Sequence, residues 1–156
     1  MISIPTVLKS SHIDLSLSAS DPGSAVKSLL ELLRGDLRVM KWDEFSQAVM
    51  VRDASPITAH GCGILIAHGR TNSVGSLVMA AGVSPAGIPF PSISTDANPI
   101  HLVFVAGIPA AFSNDYLRVV GTIARLCSKE ALLASLRKAD SPATFLSLLS
   151  QEEDRL

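Results

Sequence analysis

Three apolar runs of strand length constrain the fold of this chain more than any other feature. They are Ile64–Ala67, Leu77–Val83 and Ile100–Ala106, and glycine, proline or asparagine bounds each of them. Such boundaries are typical of β-strands. The runs lack a regular alternation with polar residues, which favours central strands covered on both faces. The sequence therefore predicts a buried sheet that needs a layer on each side.

Segments with helical spacing precede these runs and can supply one layer. Asp21 and Pro22 suit the N-cap and the first turn of a helix that Gly35 would end. Residues 41–52 repeat the apolar spacing and predict a second helix. Ahead of both helices, the alternation of apolar and polar residues over 12–19 predicts a half-buried strand.

The C-terminal third is predicted to be helical and can supply the other layer. Ser113, Ser128 and Ser141 each precede a helical pattern and suit its N-terminus. Residues 52–63 carry no such pattern and predict a loop. Because no internal repeat or low-complexity linker interrupts the chain, we expect one α/β domain over residues 1–156, with helices on both faces of a central sheet.

The composition narrows the classes of function. The net charge is −1, and without a cluster of basic residues a nucleic-acid partner is not expected. Cys62 and Cys127 are too few for a disulfide framework or a four-ligand zinc site. The longest uncharged stretch, 71–95, is broken by glycine and proline, and the N-terminus lacks a signal-peptide pattern. We therefore expect a soluble cytoplasmic protein without direct membrane insertion.

The end of the first apolar run carries the candidate reactive residue. His68 follows Ala67 at the C-terminal end of a predicted strand, where open α/β sheets bind ligands. Gly69 comes next and would let a partner approach closely. Upstream, Gly61 and Gly63 allow tight turns whose N–H groups could hold an anion.

Other chemistries fit these residues less well. His60 and Cys62 lie two positions apart, which is too few ligands for a convincing metal site. The sequence lacks the glycine motifs of dinucleotide-binding and nucleotide-binding loops and the G-x-S-x-G motif of hydrolases. A thiol nucleophile from Cys62 or Cys127, paired with His68, is conceivable, but no neighbouring residue indicates a reactive thiol.

Phosphoryl transfer is the chemistry that a single histidine beside a glycine-rich loop suits. Neutral imidazole is nucleophilic near physiological pH and can accept a phosphoryl group. The transfer needs cations and hydrogen-bond donors around the phosphoryl oxygens. Arg52, Arg70, Thr58 and the N–H groups of the loop could supply them.

The segment "RDASPITAHGCGILIAHG", residues 52–69, resembles a known family segment, R-E-x-x-x-S-T-G-I-G-N-G-x-A-I-P-H-G. That segment belongs to the EIIA domain of the bacterial phosphoenolpyruvate-dependent phosphotransferase system, in its fructose/mannitol type, which includes the nitrogen-regulatory EIIA proteins. "LSASDPGSAVKSLLELL" resembles the family's first helix, and "NPIHLVFVAGIP" resembles its P-V-H-L-V-F-L-x-x-x-P strand. The C-terminal helices agree as well, so the resemblance covers nearly the whole chain. It implies a mannitol-type EIIA fold with a central mixed sheet.

The resemblance also implies a function. In the family, the histidine at the position of His68 accepts a phosphoryl group from HPr and passes it to a cysteine of an EIIB domain, or serves as a regulatory mark. Arg52 would steady the phosphoryl charge, and Thr58 with the N–H groups of Gly61 and Gly63 would complete the cradle. The implied carrier uses no cofactor and no metal. Its implied partners are an HPr-like donor and an EIIB domain or a regulatory target.

The chain departs from the family pattern at several positions. The family's T-G-I-G-N-G is here T-A-H-G-C-G, residues 58–63, and Ala67 replaces the proline before the histidine. Many members carry a second histidine where this chain has Tyr116. A tyrosine keeps a hydrogen-bond donor there but supplies no titratable cation near neutral pH.

Four residues are candidate auxiliaries, His101, His60, Tyr116 and Arg70, and two alternative functions stay open. The simplest expectation is that His101 is satisfied by a neighbour of its strand and that Arg70 is solvated beside the site. As auxiliaries, His60 could touch the phosphoryl group from its loop and Arg70 could meet the partner. Because the chain carries no EIIB or membrane EIIC segment, it could be a stand-alone nitrogen-regulatory-type protein whose partner binding depends on phosphorylation. It could also be a scaffold whose binding ignores phosphorylation. The sequence names no sugar.

Overall fold

The chain forms eleven helices and strands within the residues that the computed structural model describes, which are 3–52, 57–59, 63–89, 99–111, 114–125 and 128–154. In chain order they are α1 (Ile4–Val7), β1 (Leu8–Asp14), α2 (Pro22–Leu32), α3 (Trp42–Arg52), β2 (Ile57–Ala59), β3 (Ile64–Thr71), β4 (Val78–Ile88), β5 (Ile100–Pro109), α4 (Asn114–Arg125), α5 (Glu130–Arg137) and α6 (Pro142–Asp154). Within those residues, no helix has the length and apolar character that crossing a membrane requires.

The described strands form one mixed sheet in the order β1–β4–β5–β3–β2. β3 runs parallel to β5, and β1 runs parallel to β4. The β4–β5 and β2–β3 pairs are antiparallel. The expected central mixed sheet is confirmed, and β5 lies at its centre between β4 and β3.

Helices cover both faces of the sheet, as predicted, because alternate residues of each strand point to opposite layers. On one face, α2 and α3 contribute a core with Leu65, Ala67, Val103 and Val105. On the other face, α1 and α4–α6 contribute a core with Ile64, Ile66, Leu102 and Phe104. The two faces of β3 therefore pack into different cores. Alternate residues along β3 contact α2 and α3 on one face and the C-terminal helices on the other.

The predicted helix starts are confirmed at two places and wrong at a third. The Asp21 side chain accepts a hydrogen bond from the Ser24 N–H at 2.8 Å and caps α2. Ser141 Oγ accepts one from the Thr144 N–H at 3.1 Å at the start of α6. The N-cap of α5 is Lys129 rather than Ser128, and its side chain makes no capping bond. The predicted cap Ser113 lies outside the described residues.

Three strand predictions need correction, because apolar pattern does not report backbone pairing. The first strand is β1, Leu8–Asp14, rather than residues 12–19. The predicted loop 52–63 contains β2, which pairs with β3. β3 also continues past Ala67 to Thr71, since its ladder with β5 runs on to the Thr71–Pro109 pair. His68 therefore lies inside the strand and not beyond its end.

Candidate functional site

His68 lies within β3 as a half-buried residue, next to buried Ala67 and buried Gly69. Its partner across the parallel ladder is Ala106 of β5. His68 is two positions after Ile66 and therefore lies on the same face of β3. Ile66 belongs to the core that packs against the C-terminal helices. A hydrogen-bonded strand thus fixes the backbone of His68 while part of the residue stays accessible.

Tyr116, in the first turn of α4, is brought directly to His68. The two ring centroids are 5.6 Å apart, and the ring planes are tilted by 48°. Tyr116 is itself half-buried and packs against the core on this face. The rings lie within the distance range of packed aromatic pairs, so the contact restricts rotation of the imidazole.

Gly69 sets how closely α3 lies against β3. A Cβ at Gly69 would lie 2.9 Å from both the backbone N and the Cγ2 of Val49, and 3.1 Å from the carbonyl carbon of Ala48. The expectation that Gly69 makes room for a partner protein is therefore wrong, since α3 fills that space. Arg52 is the last residue of α3, three residues after Val49. The close packing at Gly69 therefore also fixes the position of the Arg52 backbone relative to β3. The Arg52 side chain lies outside the described part of the structure.

Replacing Gly69 by alanine is expected to lower the free energy of unfolding by about 2 kcal/mol, because the added methyl group overlaps the α3 backbone. Gly121→Ala in α4 is the matched control, since no described atom lies within 4 Å of a Cβ there apart from the helix's own neighbouring backbone. Urea unfolding followed by circular dichroism measures both variants. Equal stability of the two variants would contradict the packing role of Gly69.

Gly63 is not brought to His68. His68 is five positions after Gly63 along nearly extended chain, a distance of about 16 Å. Gly63 has a φ of +72°, and a Cβ there would lie 2.7 Å from the Pro99 carbonyl oxygen. Its own carbonyl accepts hydrogen bonds from the N–H groups of His101 and Leu102. The expected role of Gly63 in a phosphoryl cradle is therefore corrected: it joins the start of β3 to the start of β5.

The other predicted cradle residues are only partly described. Thr58 lies on β2, where its backbone is paired with Leu65, three residues before His68 on β3. The Thr58 side chain lies outside the described part of the structure. His60 and Gly61 lie outside the described residues altogether.

His101 is satisfied by its neighbours, as predicted, and lies away from His68. Its Nδ1 donates to the Ser84 carbonyl oxygen at 2.8 Å, which leaves Nε2 to accept a hydrogen bond from Arg137 Nη2 at 3.1 Å. Along β5, His101 is five residues from Ala106, the partner of His68, which corresponds to about 16 Å. His101 is thus a structural residue between β4 and α5.

Arg70 is exposed but is held by the protein, in contrast to the expectation of a merely solvated side chain. Its Nε and Nη2 both donate to the carbonyl oxygen of Ala110, at 3.0 and 2.6 Å. Arg70 is two residues after His68 and shares its face of β3. No sequence pattern marks this contact, because the two partners are 40 positions apart.

An apolar pocket of about 260 Å³ adjoins Tyr116 and was not foreseen from the sequence. Its lining comes from the turn before β4, the end of β5 and the start of α4: Gly75, Ser76, Leu77, Ile108, Pro109, Ala111 and Tyr116. Such a pocket has no local signature, since three separate segments build it. The only hint in the sequence is the apolar character of each segment.

Comparisons with known proteins agree with this arrangement. The family model described as "Phosphoenolpyruvate-dependent sugar phosphotransferase system, EIIA 2" matches residues 6–152. The fructose-specific EIIA component of Haloferax volcanii is 28% identical over 148 residues, which is 95% of each chain. The fructose-specific EIIABC component of Bacillus subtilis is 23% identical over 150 residues, or 96% of this chain. This chain spans only 23% of that longer protein.

Solved structures show the same fold. The nitrogen regulatory protein IIA-Ntr from Neisseria meningitidis has a TM-score of 0.78 at 22% identity, covering 94% of this chain and 98% of its own. The enzyme IIAMTL complex with phosphorylated enzyme IIBMTL from Escherichia coli has a TM-score of 0.74 at 21% identity, covering 92% and 99%. The family match spans almost the whole chain and includes His68 with its surrounding strand. This chain therefore belongs to the EIIA 2 family of the phosphoenolpyruvate-dependent sugar phosphotransferase system.

Proposed function

We propose that this chain is a phosphocarrier that accepts a phosphoryl group on His68 from an HPr-like donor protein and yields it to an EIIB domain for sugar uptake. The observation that carries the proposal is the half-buried imidazole of His68, fixed on β3 and packed against Tyr116. Membership of the EIIA 2 family and the fructose-type relatives support it. Residues 1–156 would act as one EIIA domain in the cytoplasm, where phosphoenolpyruvate is produced.

The proposed step moves one phosphoryl group between two imidazole rings. A lone pair on a ring nitrogen of neutral His68 attacks the phosphorus of the donor's phosphohistidine. A new P–N bond forms on His68 while the donor's P–N bond breaks, and the electron pair of the broken bond returns to the donor ring. In the discharge step, the acceptor cysteine of EIIB attacks the phosphorus on His68. A P–S bond forms while the P–N bond on His68 breaks, and its electron pair returns to the His68 ring.

Positioning and charge stabilisation would supply most of the rate. Arg52 would face the developing charge on the phosphoryl oxygens, since it stands where the family segment has arginine. Thr58 would donate a hydrogen bond, since it stands where the family segment has threonine. The Gly61 N–H would contribute a further donor. Removing one such donor costs about 100-fold in rate in enzymes where it has been measured.

The carrier role predicts discharge as well as charging. Protein phosphorylated with phosphoenolpyruvate, enzyme I and HPr is expected to lose its phosphoryl group when an EIIB domain of the fructose type is added. EIIB with serine in place of its acceptor cysteine is the matched control and should leave the phosphoryl group in place. Phosphate-affinity electrophoresis follows both proteins. A phosphoprotein equally stable with either EIIB would contradict the role in sugar uptake.

One observation favours a second candidate function, binding to a regulatory target according to phosphorylation state. Tyr116 packs on His68 where many family members have a second histidine. A phenol can hold a phosphoryl group by a hydrogen bond but takes up no proton near neutral pH, so it offers less help to the group's departure. Capture of a target that differs between His68→Ala and His68→Glu, without discharge to EIIB, supports regulation. Capture that ignores residue 68 supports a scaffold.

A further inference from the structure

The Arg70 side chain links the strand that carries His68 to the chain segment that leads to Tyr116. Both Nε and Nη2 of Arg70 donate to the backbone oxygen of Ala110, at 3.0 and 2.6 Å. Hydrogen bonds from a charged donor are stronger than those between neutral groups. Ala110 directly follows the last residue of β5, and Tyr116 lies six residues further along the chain.

This link lies where the backbone attachment between the two strands ends. The parallel ladder of β3 and β5 runs from the Ile64–Leu102 pair to the Thr71–Pro109 pair. Ala110 is the first residue past that ladder. The Arg70 side chain therefore holds Ala110 to β3, one residue beyond the point where backbone pairing of β5 with β3 ends.

The described contacts join Arg70 to Ala110 and Tyr116 to His68, and the chain itself connects Ala110 to α4. His68 and Arg70 are two positions apart on one face of β3, which places their Cα atoms about 7 Å apart. From Arg70 the path runs through the Ala110 carbonyl to α4, and from α4 the Tyr116 ring returns to the His68 ring at 5.6 Å. We propose that Arg70 is a positioning residue: by holding Ala110 it fixes the start of α4, and so keeps Tyr116 packed on the His68 imidazole. This inference rests on the proposed phosphoryl-accepting role of His68.

Loss of the Arg70 link is expected to lower the rate of His68 phosphorylation about tenfold, because small misplacements of a reacting group are costly. Tyr116→Leu should cause a similar loss. If Arg70 acts through Tyr116, the double variant Arg70→Ala/Tyr116→Leu should be no slower than Tyr116→Leu alone. Arg34→Ala is the matched control, since that exposed arginine stacks on the Trp42 ring and belongs to a different part of the fold.

A spectroscopic readout separates positioning from a loss of stability. The Tyr116 ring current shifts the ring-proton NMR signals of His68, so Arg70→Ala should move those signals toward their positions in Tyr116→Leu. Arg34→Ala should leave them in place. Arg70→Lys keeps a cation that can reach the Ala110 carbonyl, and it should restore most of both the shift and the rate.

Two results would overturn the inference. One is unchanged His68 ring signals in Arg70→Ala. The other is rate losses that multiply in the double variant, which would mean that Arg70 acts independently of Tyr116. Failure of the proposed function is distinguishable from both: wild-type protein would then take no phosphoryl group, while the NMR comparison would still report whether Arg70 positions Tyr116.

Discussion

Replacement of His68 by alanine is expected to abolish phosphorylation by phosphoenolpyruvate, enzyme I and HPr while the fold remains intact. The imidazole supplies the only nucleophile that we propose for the step, so its loss removes the reaction itself. The strand survives because β3 is held to β5 through backbone pairs on both sides of His68. Phosphate-affinity electrophoresis measures phosphorylation, and circular dichroism with urea unfolding checks the fold.

His101→Ala provides the matched control for His68→Ala. It removes a half-buried histidine from the neighbouring strand, together with its bonds to Ser84 and Arg137. Because His101 lies about 16 Å along the sheet from the level of His68, phosphorylation of this variant should persist. Phosphorylation of His68→Ala at the wild-type rate, or its loss in folded His101→Ala, would place the reactive group elsewhere.

Replacement of Asp36 by asparagine is expected to cause the largest loss of stability, about 3 kcal/mol, because it breaks a buried ion pair. The Asp36 side chain is 1% exposed and accepts hydrogen bonds from Nε and Nη2 of Arg38 at 3.0 and 2.9 Å. Arg38 in turn donates to the carbonyl oxygens of Thr6 and Val7. The pair therefore fastens the N-terminal segment to the turn between α2 and α3.

The same cluster sets how stability depends on pH. Hydrogen bonds from Arg38 hold the pKa of the Asp36 carboxyl well below its ordinary value of 3.8, so the stability from this carboxylate is present above that value and is lost as the pH falls further. Burial lowers the pKa of His12 below 6.5, although nearby Asp36 opposes the shift. As the pH falls, the unfolded chain therefore binds a proton at His12 at a higher pH than the folded chain does. The stability contributed by neutral His12 begins to decline below about 6.5.

Urea unfolding between pH 7 and pH 3 measures both effects. Asp36→Asn should unfold at lower urea throughout, and it should lose less stability than wild type once the pH falls below 3.8, because the titrating carboxylate is gone. Asp140→Asn, which removes an exposed carboxylate, should follow the wild-type curve. An Asp36→Asn curve parallel to that of wild type at acid pH would contradict the assignment of the acid dependence to Asp36.

Local sequence signals predicted much of the fold. The three apolar runs identified β3, β4 and β5, and Asp21 with Pro22 located the start of α2. These features act over a few neighbouring residues, so a single sequence carries them. Element ends were less predictable: β3 extends past Ala67 because of its pairing with β5, and that pairing leaves no trace in the apolar pattern.

Local pattern and spacing account for only part of the geometry of the candidate site. His68 and Tyr116 were both named, and the structure brings their rings together. Gly69 correctly indicated a close approach, but the sequence could not show that α3 of the same chain makes it. Gly63 is only five positions from His68 in the sequence, yet nearly extended chain places the two about 16 Å apart. The contact of Arg70 with Ala110 depends on tertiary structure alone.

The intact mass of wild-type protein after incubation with phosphoenolpyruvate, enzyme I and HPr tests the central claim most directly. Fragmentation then assigns any added group to a residue. We expect the mass of a single phosphoryl group, labile in acid and carried by His68. An unchanged mass, or a phosphoryl group on any other residue, would contradict the claim that the imidazole of His68 is the acceptor.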